Sequence, residues 1–250
     1  MFPLFYLLVL FLTLLIGLTA SLVGIGGGVF LVPLFNLLMG LKMREAVGTS
    51  LFVIFFIAFT ASYSYWRRKL VSWRIGLIME GGSGPGAFLG SLASHYLPSS
   101  LVKIAFIALL TYVAVRMWRR EEGGERIYYR KLNVPWLLAI GFAAGFLSGL
   151  LGIGGGVVKV PILTILVGLP MHSAVATSEF MIVITTLTGA LTHGFLGDIV
   201  YINGLLIAPC VIIGSFLGSK LSVRLKRGTL RKVFSVVMGL IALRMGLSLL

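Results

Sequence analysis

Two ionisable side chains stand inside stretches that are otherwise apolar or uncharged: Lys159 in GVVKVPIL and Glu179 in ATSEFMIVI. A charge at such depth in a hydrocarbon setting is costly and is by default a functional feature. The Lys159 ammonium offers positive charge to an anion, or one half of an ion pair, for which Glu179 is the simplest partner; snorkelling to an interface is the other plain reading. A Lys–Glu pair that opens for an anion would also couple to a proton, because a carboxyl group responds to burial and to a nearby cation. Thr49-Ser50 and Thr177-Ser178 offer hydroxyl donors to oxyanion oxygens, though such hydroxyls also bond their own helix backbone. Asn36 is a weaker candidate of the same kind. Glu80 precedes Gly81-Gly82-Ser83-Gly84-Pro85-Gly86 and reads as gate or loop chemistry at a helix break. His95, His172 and His193 read as interfacial and lack metal-ligand spacing, and Cys210, the single cysteine, reads as a buried thiol. Neither a metal nor a cofactor is expected.

Lys159 lies just after a glycine cluster, and that cluster occurs twice: SLVGIGGGVFLVPLF at 21–35 and GLLGIGGGVVKVPIL at 149–163. Each glycine in a helix interior costs about 1 kcal/mol relative to alanine, so the repetition predicts a backbone break that is wanted. A helix that restarts at membrane depth directs free N–H groups and the positive end of its dipole into whatever surrounds it. Gly26, Gly27 and Gly28, with Gly154, Gly155 and Gly156, would let a small anion approach the backbone closely. Close helix packing is the alternative use of small residues, and it is the preferred reading for isolated glycines such as Gly141 and Gly239.

The elements that carry these residues must be membrane helices. Hydrophobic residues make up 58% of the chain and charged residues 11%, where a soluble domain has nearer 45–50% and about 25%. Runs long enough to cross about 30 Å of hydrocarbon recur along the whole length. The fold expected is therefore an all-α, polytopic integral membrane protein. The N-terminus lacks the basic region of a cleaved signal peptide and reads as a retained first segment. A net charge of +14 suggests nucleic acid until its distribution is read: 16 of the 21 Lys and Arg fall at Arg67–Arg74, Arg116–Lys131 and Lys220–Lys232, between apolar runs. Cytoplasmic loops look like this, and anionic lipid headgroups are their expected partner.

A shift of 128 residues superposes one half on the other without a gap. Gly24-Ile25-Gly26-Gly27-Gly28 falls on Gly152-Ile153-Gly154-Gly155-Gly156, Pro33 on Pro161, Thr49-Ser50 on Thr177-Ser178 and Phe88-Leu89-Gly90 on Phe216-Leu217-Gly218. This internal repeat divides the chain into a first copy at 1–117, a charged cytoplasmic linker at 118–133 and a second copy at 134–250. Each copy has a glycine-broken segment and three further transmembrane segments. Equivalent loops carry opposite bias: RRKLVSWR is basic and THGFLGDIV is not, while SKLSVRLKRGTLRK is basic and SHYLPSSLVK has Lys103 alone. The copies are therefore expected to be inverted, both chain ends extracytoplasmic, with each glycine-broken segment starting and finishing on one side as a re-entrant hairpin or two tilted crossings. Lys42 and Arg44 then lie on the wrong side, beside Glu45.

The doubled GIGGG-x4-P signature, the Thr-Ser pair that follows it and the basic central linker resemble the TauE/SafE family across essentially the whole chain. That resemblance implies a cell-membrane exporter of sulfite, an organosulfonate or a related sulfur-containing anion. Inverted repeats with discontinuous helices suit a secondary transporter working by alternating access. A passive anion channel would use the same helix ends, and a membrane enzyme would have to rely on Lys159 and Glu179. The partners expected are the anionic substrate, protons as a coupling ion, lipid headgroups and a second copy of the chain in a homodimer, with no nucleic acid.

Overall fold

The computed structural model describes residues 2–96 and 133–226, together with isolated positions between 111 and 118 and between 228 and 243. The first half folds into α1 (Phe2–Val23), α2 (Gly28–Pro33), α3 (Met43–Trp66) and α4 (Trp73–Tyr96). The second repeats the order as α5 (Val134–Leu151), α6 (Gly156–Pro161), α7 (Met171–Phe195) and α8 (Tyr201–Arg224). The central linker and the fourth segment expected in each half lie largely outside the described residues. Five of the described helices, α1, α3, α5, α7 and α8, are long and apolar enough to cross a membrane. The described residues make an all-helical, polytopic membrane protein.

Local sequence explains each interruption. Gly24, Gly26 and Gly27 have φ of 82°, 76° and 87°, and Gly152, Gly154 and Gly155 have 67°, 76° and 78°; side chains with a Cβ rarely adopt this left-handed backbone. The breaks expected at GIGGG are present in both halves. Pro33 and Pro161, which lack an N–H, end α2 and α6, and the chain widens into a π turn over Leu34–Leu38 and Ile162–Leu166. At the start of α3 the Lys42 N–H donates to Glu45 Oε2 at 3.0 Å, satisfying an amide that the helix leaves free. Lys42 and Glu45 thus serve the helix end.

The Gly81–Gly86 cluster does not break its helix, contrary to expectation. α4 runs through it, and the glycines at four-residue spacing form a packing face. A Cβ on Gly82, Gly86 or Gly90 would collide with the carbonyl of Leu138, Phe142 or Phe146 on α5. Gly141, Gly145 and Gly149 answer from α5 against Met79, Ser83 and Ala87. Small residues let two helix backbones approach this closely, which bears out the packing reading of Gly141; Gly239 has no neighbour within 4 Å among the described residues. Gly17, Gly214 and Gly218 make the corresponding contact between α1 and α8.

The same contacts give the directions of the helices. α1 runs parallel to α8, and α4 parallel to α5. The central pair α3 and α7 run antiparallel, since Gly48 touches His193 while Gly189 touches Leu51. Because α3 and α7 are equivalents under the 128-residue shift, this equivalent pair points in opposite directions. The basic turns after α3 and after α8 come together at one end of the bundle. There the Ser72 N–H donates to Thr177 Oγ1 at 3.0 Å, and His172 Nε2 meets the Leu225 carbonyl at 3.0 Å.

Candidate functional site

The two glycine breaks meet in the middle of the bundle. A Cβ on Gly28 would collide with the Gly152 carbonyl, and one on Gly156 with the Gly24 carbonyl. Gly26 and Gly154 both face Ile54 and Ile182, which lie about midway along α3 and α7 and are equivalents of each other. The chain turns back at each break: a Cβ on Gly27 would meet Ala20, and one on Gly155 would meet Ser148, seven residues earlier in each half. No anion-sized gap separates the breaks along these contacts; backbone rests on backbone.

Hydroxyls hold this junction. Ser50 Oγ donates to the Gly152 carbonyl at 2.7 Å, and Ser178 Oγ donates to the Gly24 carbonyl at 2.9 Å. Thr49 Oγ1 accepts the Val200 N–H at 3.0 Å, the counterpart of the Thr177–Ser72 bond. The structure thus brings the predicted Thr-Ser pairs to the breaks and the turns beside them. In this conformation their bonds to other segments go to backbone groups, and all four residues are fully buried. Asn36 is placed elsewhere, donating through Nδ2 to the Leu41 carbonyl at 2.9 Å in the turn before α3.

Lys159 is fully buried, and its partner is Glu80, not Glu179. Lys159 Nζ lies 2.6 Å from Glu80 Oε1 and also donates to Thr185 Oγ1. Thr185 Oγ1 reaches both carboxylate oxygens, at 3.1 and 3.0 Å, and Ser83 Oγ lies 2.9 Å from Thr185 Oγ1. Four buried polar side chains from α4, α6 and α7 close one network. An ion pair at this depth persists only when hydrogen bonds satisfy its remaining groups, and the two hydroxyls do so.

Among the described residues this network exists once. The 128-residue shift carries Lys159 back to Leu31 and Thr185 to Ile57, and carries Glu80 forward to Ala208 and Ser83 to Val211. All four counterparts are apolar and buried. Thr185 and Ser83 escaped a reading that looked for charges and repeated motifs. The available signal was the opposite one, positions where one copy is polar and its equivalent is not.

Glu179 follows the same rule, its counterpart being Leu51, but it faces the other break. Its side chain is fully buried, and neither carboxylate oxygen has a hydrogen-bond partner of good geometry among the described residues. The Gly26 backbone N–H is a polar group beside it. Each break therefore has one charged residue nearby, Glu179 at the first and Lys159 at the second, and the two do not pair.

Other expectations need correction. His193 is fully buried instead of interfacial, with Nδ1 3.1 Å from Asp198 Oδ2, and Arg44 Nε lies 3.9 Å from the same carboxylate's Oδ1. His172 is half-buried, and the His95 side chain lies outside the described residues. The sequence YSYW at 63–66 with Trp73 predicts an interfacial aromatic belt. Tyr63, Trp66 and Trp73 are exposed as it requires, whereas Tyr65 is buried and donates to the Ser21 carbonyl at 2.7 Å. Cys210 is half-buried, more open than expected.

Residues 9–245 match the family described as sulfite exporter TauE/SafE. The chain belongs to this family. Among curated relatives, the probable membrane transporter protein YunE of Bacillus subtilis is 29% identical, covering 98% of this chain and 97% of its own length. A probable membrane transporter protein of Methanocaldococcus jannaschii is 31% identical over 92% of this chain and 91% of its own. YdhB of Bacillus subtilis, also a probable membrane transporter protein, is 26% identical over 85% and 89%. No solved structure matches. Membership of the TauE/SafE family makes the chain an integral membrane protein of a transporter family, and the buried network and the breaks lie within the matched residues.

Proposed function

We propose that the chain is a secondary transporter of a small sulfur-containing anion, such as sulfite, thiosulfate or an organosulfonate, working by alternating access. The observation that carries this reading is the convergence of two glycine-broken helices, with one buried lysine on the arm leaving the second break. Backbone of this kind at membrane depth is tolerated only when it is buried in protein or lines a cavity. Here the breaks are packed together, which suits a closed conformation. Transport then requires the halves to part around Ile54 and Ile182, admitting the anion beside Lys159 and the amides of Gly154, Gly155 and Gly156. Glu80 and Glu179 supply the gating and coupling groups.

The antiparallel course of equivalent helices supports an inverted repeat whose two-fold axis lies in the membrane plane. With the basic end facing the cytoplasm, α1 begins and α2 finishes outside, α5 begins and α6 finishes inside, and each broken segment is re-entrant. The family description, a sulfite exporter, supports export of a sulfur-containing anion, and the curated relatives, named as probable membrane transporters, support transport in place of catalysis.

The test is a thermal-shift screen of the purified chain against sulfite, thiosulfate, sulfoacetate, taurine and sulfate, followed by flux in proteoliposomes with and without a pH gradient. A ligand that prefers the folded state raises the melting temperature. Stabilisation by a sulfur anion together with gradient-driven flux is expected. Flux that ignores the gradient and never saturates would make the protein a channel, and the absence of any anion effect would overturn the reading.

A further inference from the structure

The following rests on the reading of the chain as an anion transporter and deepens it. Lys159 Nζ and Thr185 Oγ1 form a buried donor set steadied by Ser83, and the acceptor it holds is the chain's own carboxylate, Glu80. A carboxylate and a sulfonate or hydrogensulfite head have the same chemistry for such donors: a compact oxyanion with one delocalised negative charge. The donors lie on α6 and α7 in the second half, while Glu80 projects from α4 in the first. Glu80 therefore crosses between the halves to fill the site. In the pseudo-symmetric position, where Leu31, Ile57, Ala208 and Val211 stand, neither donors nor acceptor occur.

We propose that Glu80 is a tethered stand-in for the transported anion, that substrate displaces it from Lys159 and Thr185, and that the site selects monoanions. Charge balance dictates the selection. The resting network holds one positive and one negative charge. When a monoanion takes the lysine, Glu80 loses its counter-ion, and an isolated carboxylate in such surroundings is untenable. It leaves with a proton drawn from the same aqueous side as the anion. The O–H bond formed on Glu80 replaces one broken in a hydronium ion, which leaves as water, and the site stays neutral, so one proton moves with each monoanion. A dianion in the same place would leave an uncompensated negative charge.

Lys159 is the charged group that faces Glu80. α5 carries no ionisable side chain over Val134–Leu151, α6 carries no other, and α7 presents Thr185, with Glu179 six residues earlier and turned to the first break.

The experiment measures binding of methanesulfonate and of sulfate to the purified full chain by titration calorimetry, in buffers of different ionisation enthalpy and across a pH series. The wild type is expected to bind methanesulfonate at least about tenfold more tightly than sulfate and to take up one proton per anion. Glu80→Gln, which removes the competitor, is expected to bind methanesulfonate about tenfold more tightly than the wild type. Lys159→Leu combined with Glu80→Ala copies the Leu31 and Ala208 of the other half and is expected to fold and bind neither anion. Methanesulfonate binding that Glu80→Gln leaves unchanged, or a wild type that takes up no proton, overturns the inference alone. If Glu80→Gln does not fold, the wild-type proton count decides in the same two ways. A wild type that binds neither these anions nor any in the wider screen overturns the transporter reading, and this inference with it.

Discussion

Ser50 and Ser178, 128 residues apart, each donate a hydrogen bond across the molecule to the first glycine carbonyl of the opposite half's break, at 2.7 Å to Gly152 and 2.9 Å to Gly24. The exchange is reciprocal, so each half fastens the break of the other. Removing either hydroxyl leaves a buried carbonyl deprived of this partner, at a cost of about 1–3 kcal/mol. Ser50→Ala and Ser178→Ala are therefore expected to destabilise the protein by similar amounts, read from unfolding in denaturant. If one costs several times the other, the two breaks do not share the junction equally.

The charged pair makes a sharper claim about stability. Lys159→Leu alone leaves Glu80 in a buried site without its counter-ion, and breaking a buried pair on one side costs about 3–5 kcal/mol. Lys159→Leu with Glu80→Ala removes both charges and is expected to recover most of that loss, because replacing a buried pair with apolar groups is often neutral or better. Thermal melts of the wild type, the single variant and the double variant check it. A double variant no more stable than the single would show that packing around Lys159, not charge, sets the cost.

Much of this architecture is legible in the residues, and the misreadings share a cause. Contiguous glycines at Gly26 to Gly28 mark a true break, because successive left-handed residues cannot continue a helix. The glycines Gly82, Gly86 and Gly90 recur every fourth residue, which places them on one helix face; their meaning is a neighbouring helix. Reading both clusters as breaks overlooked that difference in spacing. Lys159 announced itself through the energetic cost of its position, but its partner lies 79 residues away on another helix. Glu179 was nearer along the chain and pointed to the other break. Chain proximity carries no information about which buried acid a buried lysine meets, whereas the 128-residue shift, applied to Thr185 and Ser83, isolates the right cluster.

Glu179 stands as a fully buried carboxyl group without a well-made hydrogen bond. Such a group lowers stability, by about 1–3 kcal/mol for an unsatisfied polar group. Glu179→Leu installs the residue that the first half has at Leu51 and is expected to raise the melting temperature. If Glu179 serves transport, the same variant loses gradient-driven flux, a stability gain set against function. A variant that is both less stable and fully active would mean that the Gly26 amide depends on the carboxylate structurally.

The orientation of the halves is open to direct chemical test. Cys210 is the single cysteine and is half-buried, so Cys210→Ser gives a background on which single cysteines can be placed. Lys69 and Gly197 occupy equivalent turns, both with left-handed backbone at φ of 58° and 73°. In this structure the turn of Lys69 lies at the end where Thr177 meets Ser72, and the turn of Gly197 at the end where Arg44 meets Asp198. A membrane-impermeant thiol reagent applied to sealed cells is therefore expected to label cysteine at 197 and spare cysteine at 69 and at 226. Permeabilised cells are expected to label all three. Labelling of 69 and 226 from opposite sides would contradict the bundle itself, whereas labelling of both from outside would keep the bundle and reverse its orientation in the membrane.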